Sequence, residues 1–195
     1  MVDTRLGDGT VWLSRPGAAD VDAIVECCQE PSIGEWTTIP VPYRREHAEM
    51  FLAEIVAPGW DAGRPTWAVR ESADGPVVGM VGVTGMVLHG GHESSAAEIG
   101  YWLSPRVRGR GLMTRAVRLA CDFGFRSEGL AVQRIEWRAM VGNHASAAVA
   151  RRTGFRYEGL LRLGGEQRGR RRDVWIAGRL ATDPAGPVDG WPDGV

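Results

Sequence analysis

The chain has 195 residues, 44% hydrophobic and 24% charged, which is the balance of a globular protein large enough to close one core. No apolar run approaches the roughly 20 residues needed to span a bilayer, and Met1–Asp8 lacks the basic start and apolar core of a secretory signal, so a cytoplasmic protein with no membrane partner is expected. All 23 basic residues are arginine; this excludes a P-loop NTPase, whose loop sets a lysine on phosphate, and Schiff-base chemistry, which needs a lysine amine.

The net charge of −1 conceals an asymmetry: residues 1–100 carry −9 and residues 101–195 carry +8. One half then suits a cationic ligand and the other an anionic one, or the two halves attract each other across a shared surface. Cys27, Cys28 and Cys121 are neither a disulfide framework nor a zinc site.

In chain order, Thr10–Arg15 reads as a strand, broken by Pro16-Gly17. Ala18–Glu30 has the spacing of a helix, with Val21, Ile24, Val25 and Cys28 on one face, and Pro31 ends it. Gly34–Tyr43 is irregular, Arg44–Ala57 is a second helix, and Pro58-Gly59 stops it. Thr66–Glu71 and Val77–Leu88 are strands about the turn Ala73-Asp74-Gly75-Pro76, followed by a loop, His89–Ser95.

Ala97–Leu103 is a further strand, and Gly109–Arg126 a long amphipathic helix with Leu112, Ala116, Leu119 and Phe123 on one stripe. Ala131–Ala139 is a strand, Ala145–Arg152 a helix closed by Gly154, and Phe155–Leu163 and Asp173–Leu180 a last pair of strands. Residues 183–195, rich in Pro, Gly and Asp, are expected to form a flexible tail behind a single domain, 1–182. This order of elements makes an α/β protein with a mixed sheet covered by helices.

The chemistry concentrates after the strand that ends at Leu103. Pro105 turns the chain, Arg106-x-x-Gly109-x-Gly111 follows, and the long helix begins at once. Glycines let a backbone approach a ligand closely, and a helix start offers unpaired N–H groups and the positive end of a dipole. Arg106, Arg108 and Arg110 add charge where a pyrophosphate would lie. An Arg-Gly stretch also binds nucleic acid, but here it is short and framed by a strand and an amphipathic helix. A dinucleotide fingerprint needs a third glycine where the chain has Thr114. A plain turn is the remaining alternative.

The run Arg106-x-x-Gly109-x-Gly111 matches the Gln/Arg-x-x-Gly-x-Gly/Ala signature of the GNAT N-acetyltransferase superfamily. Glu98-Ile-Gly-Tyr-Trp-Leu before it resembles the ribosomal-protein N-acetyltransferase (RimJ/RimL-like) branch. So do Asn143-His-Ala-Ser146, Gly154-Phe155, Glu158-Gly159, Arg172-Asp173 and Trp36-Thr-Thr-Ile-Pro40. The likeness covers roughly residues 10–181. It implies a mostly antiparallel sheet of about seven strands with a V-shaped splay, flanked by about four helices. It further implies acetyl-CoA as co-substrate, no metal and no nucleic-acid partner, and allows a homodimer. Pantetheine would lie against Tyr101, Trp102 and Leu103. The segment Arg106, Arg108, Gly109, Arg110, Gly111, Leu112, Met113 and Thr114 would hold the pyrophosphate, and Asn143 and Ser146 would meet the pantetheine arm.

Transfer of an acetyl group to a primary amine (a protein N-terminus, an aminoglycoside or a small-molecule amine) needs a neutral nucleophile, a polarised carbonyl and a stabilised leaving thiolate. Glu98 is the first candidate for the base, because it shares a strand face with Gly100, which leaves room beside it; Glu35 and Glu93 are alternatives. Many GNAT enzymes place a tyrosine four residues before the Gly-Phe, as acid for the thiolate, but here the position holds Ala150. Ser146 resembles the branch's own solution, with Tyr157 as a remote substitute; the plain reading of Asn143 and Ser146 is a helix cap. The carbonyl would be polarised by an N–H near Tyr101 or Trp102, freed by a strand bulge.

Cys121 as a nucleophile, His89-x-x-His92 as a metal pair, Arg168–Arg172 as a polyanion contact, and Trp36, Trp60 and Trp67 as cleft walls are secondary candidates. A non-catalytic acyl-CoA-binding module is the alternative to the enzyme. The acceptor is left open.

Overall fold

The computed structural model describes residues 4–84 and 96–195. The end of the strand expected to reach Leu88, the loop His89–Ser95, Glu93 and the His89/His92 pair fall outside them.

Two short strands, β1 (Leu6–Gly7) and β2 (Trp12–Ser14), open the chain. Helices α1 (Val21–Cys28), α2 (Pro31–Trp36), α3 (Arg45–Met50) and α4 (Ala57–Asp61) follow, with a π-helical stretch, Phe51–Val56, joining the last two. Then come β3 (Thr66–Arg70), β4 (Gly79–Thr84), β5 (Ala96–Leu103), α5 (Leu112–Phe125), β6 (Arg134–Met140), α6 (His144–Arg152), β7 (Arg156–Gln167) and β8 (Arg170–Leu180). The strands form one sheet in the order β1-β2-β3-β4-β5-β6-β8-β7. Among the described residues only β5 and β6 run parallel; every other pairing is antiparallel. The mixed, mostly antiparallel α/β sheet is as expected, with one strand more because two residues at β1 are too few to show a period.

Prolines account for the other differences. Pro31 does close α1, but its fixed φ and missing N–H suit a helix start equally well, and it is the first residue of α2. Pro58 likewise lies in the first turn of α4, which starts at Ala57, so the helical course continues through Pro58-Gly59 to Asp61. At the other end of the chain, β7 and β8 extend through residues 164–172, between the two strands expected there. Arg168 and Gly169, both at positive φ, close a two-residue hairpin.

The sheet separates two apolar layers. On one side α5 turns Leu112, Met113, Ala116, Val117, Ala120 and Cys121 onto Val81, Val83, Ile99 and Leu103. The approach is close: a Cβ on Gly124 would stand 2.9 Å from the Ile135 side chain. On the other side, α1, α2 and α3 bury Val21, Ile24, Ile33 and Ala48 with Ala68 and Met80. Period-two alternation along β5 therefore sends Ile99 and Leu103 towards α5, and Glu98, Gly100 and Trp102 towards α2.

The feature that matters for function is where β5 and β6 part. Their parallel register runs from Ala96↔Arg134 to Ile99↔Trp137 and stops. Beyond it, β5 stays with β4 as far as Leu103↔Gly79, while β6 stays with β8 as far as Met140↔Val174. Each strand has a firm partner on its outer side, so the two diverge and leave a wedge between Gly100–Leu103 and Arg138–Met140.

The β7–β8 hairpin folds over one side of this wedge. Gln167 is buried, and its Nε2 donates to the carbonyls of Glu35 (2.8 Å) and Thr37 (2.7 Å). Arg168 donates to the carbonyls of Gly34 (2.8 Å) and Ile39 (3.1 Å). These bonds satisfy the carbonyls left over where α2 ends. Arg172 lies 5.5 Å from the ring of Trp36, in cation–π contact, and donates to Gln167 Oε1. The arginine cluster is thus partly consumed within the chain. Asp173 accepts from Leu163 N–H at 2.7 Å across the irregular part of β7.

The segment from residue 183, which its composition suggested was loose, makes definite contacts. Val188 N–H donates to Arg151 O at 3.2 Å, and Trp191 Nε1 donates to Phe155 O at 3.0 Å.

Candidate active site

The loop ahead of α5 has the geometry of an anion cradle. Gly109 and Gly111 both sit at φ +76°, and Gly111 is the residue from which α5 starts. A Cβ at either would meet nothing within 4 Å; glycine is needed there for its left-handed backbone, not for space inside the protein. Arg115 N–H is the first in the helix to find a backbone acceptor, Gly111 O at 3.1 Å. Among the described residues, the amides of Gly109 to Thr114 have no main-chain partner. They open onto a cavity of about 540 Å³ lined by Tyr101, Trp102 and Leu103 on β5, by the start of α5, by Asn143, Ser146, Val149 and Arg152 around α6, and by Ser32, Ile33 and Trp36 on α2.

The three loop arginines separate. Arg106 pairs with Glu26 and Arg110 with Glu71 (2.7 Å), and neither side chain lines the cavity. Arg108 does line it; its Nε donates to Leu103 O at 3.0 Å, and no carboxylate among the described residues is within ion-pair distance. Desolvation pulls its pKa below that of free arginine, and the charge of Glu30 only partly offsets this. So one guanidinium, not three, faces the cavity; the other two have acidic neighbours that only the tertiary structure brings near.

The splay, rather than a bulge, frees the strand amides. The β4–β5 register is unbroken over its whole length. Ser104 N–H donates to Val78 O on the β4 side, so by alternation the amide groups of Gly100 and Trp102 also face β4. Those of Tyr101 and Leu103 face the wedge. Of the two expected donors, the Tyr101 amide is the one so directed.

A second cavity, of about 370 Å³, lies on the α2 side of the wedge, lined by Trp36, Thr37, Glu98, Arg138, Met140, Gly164, Gly165 and Glu166 among others. Tyr101, Asn143, Ser146, Trp36 and Thr37 line both cavities. They meet at the mouth of the wedge. Glu98 faces the second cavity. Desolvation raises its pKa above the ordinary glutamate value; Arg138, with Nε 3.9 Å from Oε2, opposes this, and the neighbouring Glu136 adds to it. Arg138 is itself closer to Glu136, at 2.6 Å, so it only partly neutralises Glu98.

Ser146 sits in the first turn of α6. Its N–H donates to Asn143 Oδ1 at 3.2 Å, the cap that the sequence suggested, which leaves the Asn143 amide nitrogen free to donate. Its Oγ accepts from Trp137 Nε1 at 3.0 Å, so one lone pair is occupied and the hydroxyl proton is left to give elsewhere. Tyr101 Oη donates to Ser146 O at 2.9 Å, and burial pushes the phenol pKa well up, so this tyrosine stays protonated.

The secondary candidates fall elsewhere. Trp60 and Trp67 are fully buried and meet edge-on in the core, so of the three tryptophans only Trp36 lines a cavity. Burial pushes the Cys121 thiol up to about 12, which leaves it no thiolate character at neutral pH. Glu35 is exposed and lines neither cavity, and Tyr157 packs on Trp191. Among the described residues no group of three or more His, Cys, Asp or Glu could hold a metal ion. Ser32, Ile33 and Arg152 also line the first cavity without a strong signal in the sequence: the short helix of the first two is marked only by Pro31, and Arg152 follows Ser146 and Val149 at intervals of three.

A β5–β6 wedge, a glycine-started α5 and unpaired amides at its mouth define an acyl-CoA transferase site, and comparison with known proteins agrees. Residues 10–156 match the family described as Acetyltransferase (GNAT) domain. The chain is 30% identical over 160 residues to the "Putative ribosomal N-acetyltransferase YdaF" of Bacillus subtilis (strain 168), covering 82% of this chain and 69% of that one. It superimposes on Mycobacterium smegmatis RimJ in complex with CoA-disulfide with TM-score 0.76 and 26% identity, over 88% and 82% of the two chains. It also superimposes on the microcin C7 self-immunity acetyltransferase MccE, solved with acetyl-CoA and AMP. There the TM-score is 0.77 at 19% identity, over 89% and 93%, a likeness of fold. The chain belongs to the GNAT family, in its RimJ/RimL-like branch, and is an acetyl-CoA-dependent N-acetyltransferase.

Proposed function

We propose that the protein acetylates a primary amine, with a protein N-terminus as the acceptor class, by direct attack in a ternary complex. The observation that carries this reading is the meeting of two cavities at one point, Tyr101, Asn143 and Ser146: one cavity bears the anion cradle, the other Glu98. The named function of the Bacillus subtilis relative, a ribosomal acetyltransferase, supports a protein acceptor.

Acetyl-CoA supplies an acyl group already activated as a thioester; the residues do the rest. The amides of Gly109 to Thr114 and the Arg108 guanidinium hold the pyrophosphate, and the edge of β5 at Tyr101 and Leu103 aligns the pantetheine arm. Glu98 accepts a proton from the incoming amine, whose own pKa of about 8 for an α-amine or about 10.4 for a lysine keeps it mostly charged at neutral pH. The Tyr101 N–H donates to the carbonyl oxygen as negative charge builds there. As the C–N bond forms and the C–S bond breaks, the Ser146 hydroxyl donates a hydrogen bond to the departing sulfur, which takes up the proton shed by the new amide nitrogen. The raised pKa of Glu98 suits a base, since a carboxylate nearer neutrality accepts a proton more readily.

A cytoplasmic location and a homodimer are part of the same reading, drawn from the resemblance to the branch; no described helix is long and apolar enough to cross a membrane. The test of function is release of free thiol from acetyl-CoA in the presence of N-terminal peptides, aminoglycosides and small amines. Thiol release with peptide α-amines supports the reading. Tight CoA binding with no release to any amine would show a binding module instead.

A further inference from the structure

The C-terminal segment reaches back to the reaction centre. Trp191 lies outside the matched family region, which ends at residue 156, yet its ring centroid is 5.6 Å from that of Trp137 and 5.7 Å from that of Tyr157. Its Nε1 donates to Phe155 O, just past the end of α6. Trp137 is the last residue of β6 paired with β5, and so stands at the apex of the wedge. It is 1% exposed, and its own Nε1 holds the Ser146 hydroxyl at 3.0 Å.

We infer that Trp191 is a positioning residue for acetyl transfer: it braces the Trp137 indole against α6 and thereby fixes the Ser146 hydroxyl. The inference rests on the role proposed for Ser146. Trp137 is paired with Ile99 of β5 and Ala177 of β8, which fixes its backbone, so the tilt of the indole is set by what packs on it. Trp191 is joined both to that indole and to the chain leaving α6, the helix that carries Ser146. A shift of either changes the Trp137–Ser146 bond, on which the direction of the free hydroxyl proton depends. Because Trp191 lines neither cavity, its loss leaves the cofactor cradle intact.

The test is a double-mutant cycle on turnover. Trp191→Ala should lower kcat about tenfold while KM for acetyl-CoA stays within about twofold. In a Ser146→Ala background, Trp191→Ala should cost nothing more, because the group it positions is gone. Trp191→Phe should recover most of the rate, since it keeps the ring on Trp137. Trp191→Leu makes the same comparison if the alanine variant is too unstable to assay. An unchanged kcat in Trp191→Ala, or an equal loss in both backgrounds, overturns the inference and leaves the proposed function standing. Parent turnover in Ser146→Ala alone would instead remove the role of Ser146, and the inference with it.

Discussion

Replacing Glu98 by glutamine lowers kcat near neutral pH by about 10²–10⁴-fold, the usual range for loss of a positioned general base. The same substitution should flatten the ascending, acidic side of the pH–rate profile, where the parent enzyme loses activity as Glu98 takes up a proton. Desolvation raises the Glu98 pKa, so this limb should lie above the ordinary glutamate range. The sign for stability is opposite to that of a salt-bridged acid. A carboxyl whose folded pKa is raised helps stability below its unfolded value, and that help is lost as pH rises through the folded one. The neutral glutamine removes this burden at pH 7 and leaves Arg138 with Glu136 at 2.6 Å. The variant should therefore melt no lower than the parent, which separates lost chemistry from lost fold. A pH profile and rate equal to the parent's would show that water, or another group, takes the proton.

Replacing Gly111 by alanine weakens acetyl-CoA binding by about 10–100-fold, or ~1.4–2.8 kcal/mol. Gly111 holds φ +76° at the start of α5. A side chain there costs about 1–2 kcal/mol in the left-handed conformation. If the backbone relaxes to avoid that cost, the amides of Gly109 to Thr114 no longer converge. If it does not, the new methyl group stands in the open space proposed for the phosphates, since nothing in the protein comes within 4 Å of it. Either way binding suffers more than folding. Titration calorimetry and thermal unfolding on the same sample measure both. A large fall in melting temperature with unchanged affinity would make Gly111 a structural glycine only.

The sequence carried the fold where local chemistry decided it. The glycines at 109 and 111, the stripe of α5 and the alternation of β5 are all local, and each marked its element in advance. The wedge is not local: it follows from β5 and β6 each keeping an outer partner, which no single segment encodes, so its shape came only through family resemblance. The destinations of Arg106 and Arg110 were hidden for the same reason, because Glu26 and Glu71 lie some 80 and 39 positions earlier in the chain. The second cavity was the least legible part. Its walls come from α2, β5, β6 and the β7–β8 hairpin, and the hairpin's docking depends on Gln167, a residue with no motif around it. Trp191 was obscured by composition, since the Pro, Gly and Asp residues around it outweigh one tryptophan in any average.

In the proposed mechanism the unpaired amides at the start of α5, with Arg108, hold a diphosphate. Calorimetric titration with acetyl-CoA and with acetyl-pantetheine, which carries the same thioester arm without the nucleotide and its phosphates, tests it directly. Charge-assisted hydrogen bonds contribute about 1.5–3 kcal/mol each. Acetyl-pantetheine should therefore bind at least about 100-fold more weakly than acetyl-CoA. Equal affinity for the two, or no heat with either, would contradict it.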